Sequence, residues 1–498
     1  MALFLALFLG GSMRRVVRAM TLALVPAAAL AGELQDDLKA RRARVMEAIG
    51  PESVLVHWSA PTRVFSRDVD YEYRQDSDML YLTGVDQDET TLVLLPGNKT
   101  KKSILFVSDA DPRREHSQGH LLSKEEAQAA SGVDEVRFAS GLDSFLASLM
   151  NRQAPGERLT EYSGEYDAFF DALKAGTARL ALVFGRRPGV KDELPPAYEY
   201  AERMRQRVPG LTVTDATPIV WGLRQVKTPY ERGTLQRSTD VSADAHRAAM
   251  RATKPDRYEY EVEAELEKVY LQRGAPSWGY PSIVGSGPNA TILHYDRSRR
   301  QMKAGEMLLI DAAAFYEGMT ADITRAWPVN GKYSKEQAEL WRLVLAAQEA
   351  GMKAAVAGNH TTDVEKAAEE VVRQGLLKLG LVTDATSKQH RTWYTHGICH
   401  WIGLDVHDVG DYRRALEPGM AFVIEPGLYV REAALDALED TPENRAFKEK
   451  VRPVVLKYKD IGVRVEDSFL LTETGLVRLS ARVPRTLEEI EAFMAGRE

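Results

Sequence analysis

Two aspartates stand within strand-like apolar runs of the segment MLLIDAAAFYEGMTADITRAW, which contains Asp311 and Asp322. A hairpin with a four-residue turn over 315–318 would place them directly opposite each other, with β-carbons about 5 Å apart. Two like charges at that distance are destabilising unless a cation neutralises them. The alternative is a pair of solvated carboxylates on an exposed hairpin, but the MLLI run and Trp327 disfavour full exposure. The pattern therefore predicts a divalent cation at this hairpin.

Three of the ten histidines of the chain lie within twelve residues, in the segment THGICHWIGLDVHD. The i, i+4 spacing of His396 and His400 would suit a helix, but the glycines and β-branched residues around them favour loop and strand. One such histidine alone would be interpreted as a hydrogen-bonded structural residue. Together with His407, they indicate a metal or catalytic site.

Two glutamates complete the set of candidate ligands. Glu425 ends an apolar strand in FVIEPGLYV, and Glu466 stands between apolar residues in GVRVEDSFLL. A carboxylate in such a run is almost never fully buried without a partner. An arginine such as Arg464 could satisfy one glutamate, but two glutamates and two aspartates need more positive charge.

Two divalent ions would balance four carboxylates, and such a pair can activate a water molecule for hydrolysis. Ligation by many oxygens and one imidazole favours manganese, with cobalt, iron and zinc as alternatives. The thiolates expected of a structural zinc site are missing from the set.

The elements that must position these residues fall into two regions. The chain has 498 residues, enough for two or three domains. Residues 32–220 alternate short apolar runs with helical segments, which predicts an α/β domain. Residues 221–498 contain long helices, one from Pro229 to about Thr253, with capping boxes predicted at Ser334/Gln337 and Thr362/Glu365. Strands between and after these helices predict an α+β domain.

Composition narrows the class of protein. The formal net charge is −7, which argues against a nucleic-acid binder. Cys399 is the one cysteine, so the chain cannot form an internal disulfide. The sequence leaves the oligomeric state open, a homo-oligomer included.

Residues 1–31 have the pattern of a signal peptide. Arginines at 14, 15 and 18 form a basic region, residues 20–30 an apolar region, and Ala29-Leu30-Ala31 a small-x-small cleavage site. This predicts a secreted or periplasmic protein. The apolar stretch before the arginines suggests that translation begins at Met13. The alternative, an N-terminal membrane anchor, is disfavoured because neither apolar run is long enough to span a bilayer. Arg14-Arg15 is weak support for twin-arginine export.

The ordered set of Asp, Asp, His, Glu and Glu, with its local motifs, resembles the M24 metallopeptidases, which have the pita-bread fold. The segment YEYRQDSDMLYLTG, residues 71–84, resembles the N-terminal domain of aminopeptidase P, and the junction LRQVKTPYE, residues 223–231, is also similar to that family. The resemblance covers about residues 34 to 494. It implies a pita-bread catalytic domain over residues 221–498 and hydrolysis of peptides ahead of proline.

The resemblance also implies roles for single residues. The metal ligands would be Asp311, Asp322, His400, Glu425 and Glu466, with Glu425 also acting as a proton shuttle. His294, His396 and His407 match histidines that line the substrate site of the family. Arg464 matches an arginine that braces the first aspartate.

Two rival functions share these features. A prolidase uses the same ligands but cleaves Xaa-Pro dipeptides, and a pseudopeptidase uses the fold only to bind proteins. Pseudopeptidases of this type lose ligands, whereas all five are present here. Compared with short bacterial relatives, the chain has an extra charged stretch, over about 431–460, between Glu425 and Glu466. We interpret it either as a cap that restricts peptide length or as a solvated surface excursion.

The signal-peptide interpretation can be checked directly. We expect mature protein from the native host to begin at Gly32 and to lie outside the cytoplasm, because cleavage follows the Ala29-Leu30-Ala31 pattern. N-terminal sequencing of that protein gives the answer. Soluble protein that still carries Met1 or Met13 would overturn this prediction.

Overall fold

The computed structural model describes residues 27–156 and 162–497. The helices are α1 (Ala27–Ile49), α2 (Ser77–Thr83), α3 (Pro112–Gln118), α4 (Lys124–Ser131), α5 (Leu142–Met150), α6 (Asp167–Ala175), α7 (Pro196–Arg207), α8 (Thr217–Arg224), α9 (Pro229–Ala252), α10 (Glu259–Gln272), α11 (Lys335–Ala354), α12 (Thr361–Leu379), α13 (Glu432–Asp436), α14 (Pro442–Tyr458) and α15 (Leu487–Met494).

The strands in the same ranges are β1 (Ser53–Trp58), β2 (Val64–Ser66), β3 (Val69–Asp70), β4 (Thr91–Leu94), β5 (Ser103–Val107), β6 (Glu135–Phe138), β7 (Arg179–Leu182), β8 (Thr212–Asp215), β9 (Ser277–Trp278), β10 (Ile283–Ser286), β11 (Met307–Asp311), β12 (Ala314–Tyr316), β13 (Met319–Thr320), β14 (Thr324–Pro328), β15 (Ala421–Ile424), β16 (Gly427–Val430), β17 (Ile461–Arg464), β18 (Asp467–Thr472) and β19 (Gly475–Arg478).

The first half of the chain is built on one mixed six-stranded sheet with the order β6-β5-β4-β1-β7-β8. Its strands are apolar on both faces, because Val54 and Val56 enter one core while Leu55 enters the other. Helices cover both faces, as expected for strands buried on two sides. The α/β architecture predicted for this region is confirmed.

The second half combines antiparallel strands with long helices, as predicted. Three small sheets have the orders β10-β11-β14, β13-β12-β9 and β15-β18-β19, and β16 pairs with β17. Two isolated bridges add to these sheets: Thr324 of β14 pairs with Glu466, directly before β18, and Phe422 of β15 pairs with Trp401 of the preceding loop. Helices α11 and α12 pack against each other, as do α9 and α10.

Capping follows the sequence at most helix starts. Thr228 and Glu231 form a capping box at α9, and Ser334 and Gln337 form the predicted one at α11. The box predicted at Thr362 and Glu365 is wrong. Helix α12 begins two residues earlier than that box implies, with His360 as its N-cap, and Asp363 accepts a hydrogen bond from the backbone N–H of His360.

The hairpin that carries the two aspartates has a different register from the predicted one. Its turn has two residues, Glu317 and Gly318, both with positive φ, at 47° and 85°. Such turns match the right-handed twist of the flanking strands. Asp311 therefore lies opposite Thr324 rather than Asp322. The shift is two residues, so both aspartates remain on one face of the hairpin.

The insert at 431–460 connects two paired strands, β16 and β17, at one end of their ladder. It joins β16 to β17 at the pair Val430–Ile461, three residues along from the pair Gly427–Arg464. That separation is about 10 Å of strand. Helix α14 packs on α11, where the Tyr458 hydroxyl donates to Glu339 at 2.6 Å. Helix α14 of the insert thus packs on the core at α11, and no residue of the insert is among the described residues that line the candidate pocket. A role of the insert as a cap stays a prediction.

One hydrophobic core joins the two halves of the chain. The cluster that contains Leu55 and Leu82 of the first half also contains Ile402, Leu404 and Val423 of the second. The turn residue Gly318 lies at this boundary. A β-carbon there would approach the Leu80 and Leu404 side chains to 3.1 and 3.2 Å.

The predicted signal peptide lies mostly outside the described residues. Ala27–Ala31, which include the cleavage pattern, form the start of α1. Among the described ranges, no helix combines the length and the apolar character needed to cross a membrane.

Gly318 gives a test of this boundary. We expect Gly318→Ala to lower the melting temperature more than Gly305→Ala. Both glycines have φ of 85°, so both substitutions carry the left-handed backbone cost of roughly 1–2 kcal/mol. Only the alanine at 318 meets side chains, which adds about 1 kcal/mol for overpacking. Thermal unfolding of the two variants measures the difference. Equal losses would contradict the packing described for this turn.

Candidate metal centre

Strands end at the candidate site, and three of the five predicted ligands stand at or next to such an end. Asp311 is the last residue of β11, Glu425 follows β15, and Glu466 precedes β18. His400 comes from the loop before β15. The bridge between Thr324 and Glu466 holds the ends of β14 and β18 together. These groups line a pocket of about 370 Å³.

The predicted ligands converge. His400 Nε2 lies 3.4 Å from Asp322 Oδ2, 3.6 Å from Glu425 Oε1 and 4.0 Å from Glu466 Oε1. One ligand atom from each of Asp322, His400 and Glu466 lies within 4.8 Å of the other two, a spacing that could hold a metal ion. Asp311 joins this group through Tyr280.

Tyr280 connects the two aspartates. Its hydroxyl oxygen lies 2.6 Å from Asp311 Oδ1 and 2.5 Å from Asp322 Oδ1. Burial and both aspartates raise the pKa of Tyr280 well above its usual value, so the hydroxyl keeps its one proton. One proton cannot satisfy two ionised carboxylates. Either a proton on Asp322 or a cation between the two carboxylates must therefore supply the missing positive charge.

Burial of the carboxylates increases the need for positive charge. Asp311 is 8% exposed and Glu466 1%. Burial and the charge of Asp311 raise the pKa of Asp322 well above its usual range. Burial and Glu466 do the same for Glu425, and burial with Asp322 raises the pKa of Glu466. The donor set of carboxylates and one imidazole fits divalent cations, and their charge removes the repulsion.

His400 is oriented for ligation. Its Nδ1 lies 3.1 Å from the backbone carbonyl of Trp401, to which it donates. This hydrogen bond fixes the tautomer with the proton on Nδ1. The lone pair of Nε2 is therefore free and faces the carboxylates.

Arg464 contacts Asp311, the aspartate for which the family resemblance implies a bracing arginine. Its guanidinium forms an ion pair with Asp311 and donates to Thr324 Oγ1 at 3.0 Å and to the Tyr429 hydroxyl at 2.8 Å. Thr324 in turn donates to Glu466 Oε2 at 2.5 Å. One buried arginine thus positions the first aspartate directly and the last glutamate through a threonine.

A directed hydrogen-bond chain runs from Arg464 to His396. Because Arg464 donates to the Tyr429 oxygen, Tyr429 donates its own proton to His396 Nε2 at 2.8 Å. His396 Nδ1 then donates to the Gly397 carbonyl at 2.7 Å. Burial and Arg464 lower the pKa of His396 to about 4, which agrees with a neutral ring.

The other two predicted histidines line the same pocket. His407 packs edge-to-face on His400, with ring centroids 4.3 Å apart. Desolvation, His400 and His294 lower the pKa of His407 to about 4. His294 also lines the pocket, in an exposed position. Cys399 is buried beside the ligands, and burial raises the pKa of its thiol well above the usual value.

Sequence reasoning missed three residues of this site. Thr324 stands two residues after Asp322, at the start of β14, and Tyr429 stands four after Glu425, in β16. That closeness in sequence to a ligand was a usable signal. Tyr280 comes from a loop 31 residues before Asp311, and nothing in the sequence connects the two.

Comparison with known proteins decides the family. The model of metallopeptidase family M24 matches residues 233–473, and that of the aminopeptidase P N-terminal domain matches residues 38–157. An Xaa-Pro aminopeptidase of Escherichia coli is 34% identical over 472 residues, which cover 93% of this chain and 98% of the relative. The chain belongs to metallopeptidase family M24.

A solved structure and a more distant relative add to this result. The structure of E. coli aminopeptidase P with the inhibitor Pro-Leu has a TM-score of 0.77 and 32% identity, and the match covers 93% of this chain and 98% of that one. A human Xaa-Pro dipeptidase is 29% identical over 89% of this chain and 88% of its own length. The predicted pita-bread fold of the second half is confirmed.

The raised carboxylate pKa values generate a test. Metal-free protein should hold protons on Asp322, Glu425 and Glu466 at pH values above their usual range, and metal binding should release them. Apparent metal affinity should therefore fall as pH falls. In the metal-free protein these groups reduce stability as pH rises from their unfolded pKa of about 4 toward the higher folded value. The rise in melting temperature on adding Mn²⁺ should consequently be larger at about pH 8 than at about pH 6.

Calorimetric titration of metal-free protein with Mn²⁺ measures the released protons. The same titration in two buffers of different ionisation enthalpy should give different heats, and the difference should be greater at about pH 6. Equal heats in both buffers would mean that the carboxylates are already ionised. Elemental analysis of the loaded protein gives the number of ions per chain.

Proposed function

We propose that this chain is an Xaa-Pro aminopeptidase, which hydrolyses the N-terminal peptide bond ahead of proline and uses two divalent metal ions. The convergence of four buried carboxylates and His400 in one pocket carries the proposal. Membership of family M24 and the match of residues 38–157 to the aminopeptidase P N-terminal domain support it. Manganese is the favoured metal, because the ligands are mainly oxygen atoms.

Five residues would hold the metal ions. They are Asp311, Asp322, His400, Glu425 and Glu466. Two divalent ions bound there supply Lewis acidity for the scissile carbonyl and activation of a water molecule. Four carboxylates and two such ions balance in charge. The repulsion that raises the pKa values of the buried acids is then removed.

The remaining groups would handle protons and orientation. Glu425 lies in the pocket with Oε2 3.6 Å from His396 Nδ1, and we assign it the transfer of a proton to the leaving nitrogen. The nitrogen of a proline has no N–H for the enzyme to bind, so the substrate must be held by other atoms. His294, His396 and His407 are placed around the pocket for that purpose.

The site favours peptides that continue beyond proline. A prolidase must bind the carboxylate of the proline itself, for which a free arginine is the natural donor. Arg464, the one arginine among the described residues that line the pocket, is paired with Asp311. In the insert, Arg445 pairs with Asp440, and Arg452 pairs with Glu432 and Asp436.

Two further arginines directly follow the pocket residue Tyr412 in the sequence. Arg413 pairs with Asp411, and Arg414 pairs with Glu417. Both side chains line a neighbouring cleft rather than the metal pocket. They are the arginines to examine if dipeptides prove to be the better substrates.

The site of action is a separate proposal. We propose that the protein is exported to the periplasm or the cell exterior, on the strength of the basic, apolar and small-residue pattern of residues 1–31. The peptides that it meets there would be proline-containing.

Substrate length tests the proposed function. We expect Xaa-Pro-Yaa tripeptides and tripeptide amides to be cleaved with higher kcat/KM than Xaa-Pro dipeptides by the Mn²⁺-loaded protein. The amide serves as the control for recognition of a carboxylate. Preference for the dipeptide would make the protein a prolidase. No cleavage of any proline peptide by protein with a full metal content would leave only the non-catalytic alternative.

A further inference from the structure

A buried network of charges lies where the first half of the chain meets the loop that carries His400 and His407. Its centre is Arg224, at the end of α8 and 2% exposed. One guanidinium nitrogen donates to Asp78 Oδ1 of α2 at 2.7 Å. The other donates to Asp405 Oδ2 at 2.8 Å and forms an ion pair with Asp408. The single side chain therefore joins three segments.

Asp408 is held on both sides. Its second carboxylate oxygen accepts from Lys227 Nζ at 2.6 Å, and Lys227 also donates to the Arg224 carbonyl at 2.7 Å. Burial alone would raise the pKa of Asp408, but Arg224 and Lys227 outweigh it and lower that pKa. The carboxylate is thus ionised and fixed between two cations.

The first half of the chain contributes further contacts to the same loop. Ser77 donates to Asp405 Oδ1 at 2.9 Å, and Arg74 donates to the Leu404 carbonyl at 3.1 Å. Trp221 Nε1 donates to the second oxygen of Asp78 at 3.0 Å, which orients that carboxylate toward Arg224. The loop is therefore anchored to α2 and α8 by directional bonds in addition to the apolar core.

His407 lies between the two anchored aspartates, directly before Asp408. Its ring contacts the ring of the ligand His400, so a shift of this loop changes the position of His407 relative to the ligands. A misplacement of about 1 Å of a catalytic group can cost about 100-fold in rate. A buried ion pair adds little net stability, because desolvation offsets the attraction, but it does define one geometry.

We propose that Arg224, in the segment that joins the two regions of the chain, is a positioning residue that fixes His407 through Asp408 and Asp405, with Asp78 of the first region as its further anchor. This inference rests on the proposed function for the role of His407. It gives the first region, through Asp78, a part in catalysis that does not require contact with the substrate.

Arg224→Lys is the informative substitution. Lysine keeps the positive charge but cannot bind Asp78, Asp405 and Asp408 at once, because it lacks the guanidinium fork. The matched control is Arg42→Lys. Arg42 is an equally buried arginine whose bonds go to the carbonyls of Leu82, Ser131 and Gly132, away from the loop.

Hydrogen exchange of the full-length, Mn²⁺-loaded protein gives a readout that does not need activity. We expect the segment 401–412 to exchange faster in Arg224→Lys than in wild type and to be unchanged in Arg42→Lys. The amides of Gly403 and Asp408 are hydrogen-bonded within this loop, to the carbonyls of Asp405 and Trp401, and report its order. Unchanged exchange in Arg224→Lys would overturn the proposal.

A double-mutant cycle with His407→Ala then tests the route. We expect Arg224→Lys to reduce kcat on an Xaa-Pro tripeptide by at least about tenfold, with metal content retained. The same substitution in the His407→Ala background should cost much less, because the residue that Arg224 positions is gone. Equal losses in both backgrounds would mean that Arg224 acts by another route and would overturn the proposal.

A milder variant covers the case in which Arg224→Lys does not fold. Asp405 is 38% exposed, so Asp405→Asn releases one anchor of the loop with little cost in burial. It should show the same faster exchange and the same dependence on His407, to a smaller degree. Failure of the proposed function would appear differently, as wild-type protein without activity on any proline peptide. The exchange comparison would still decide whether Arg224 orders the loop.

Discussion

The excess of negative charge in one small, largely buried pocket is the constraint on which the rest of the site depends. Four carboxylates line this pocket, a tyrosine hydroxyl contacts two of them, and the arginine among the described lining residues is already paired. Unpaired buried charges cost several kcal/mol each. Divalent cations, rather than protein groups, would complete the neutralisation. Folding, metal affinity and pH response are thereby linked through the same few acids.

Strand ends supply the precision that this arrangement requires. The ladders β11–β14, β15–β18 and β16–β17 each bring one or two functional residues to the point where paired strands part. A slip of one residue in any ladder would turn its ligand to the opposite face. The bridge between Thr324 and Glu466 ties two of these ladders together, and Arg464 links the third to them. The site is therefore as rigid as the sheets around it.

Sequence reasoning reached the two architectures and brought together the residues that the structure places in the pocket, because apolar strands that contain carboxylates are unusual. It failed on the hairpin register, since the four-residue turn competed with the two-residue turn over Glu317 and Gly318. It also missed Tyr280, whose contact with Asp311 depends on tertiary packing alone. The start of α12 was misplaced because two capping signals overlap there. One begins at Thr362, and the other uses Asp363 as the residue that caps the helix start. Local patterns identify ligands well, but they do not specify the long-range contacts that orient them.

The insert between β16 and β17 has a practical consequence. Its helices begin at the end of the hairpin that points away from the metal ligands, and they attach to the outer surface of α11. The pair Gly427–Arg464 lies three residues from the point where the insert begins. The exposed surface of this segment is therefore a natural attachment point for an affinity tag, a fluorophore or a linker to a solid support, because none of its residues is among the described residues that line the pocket.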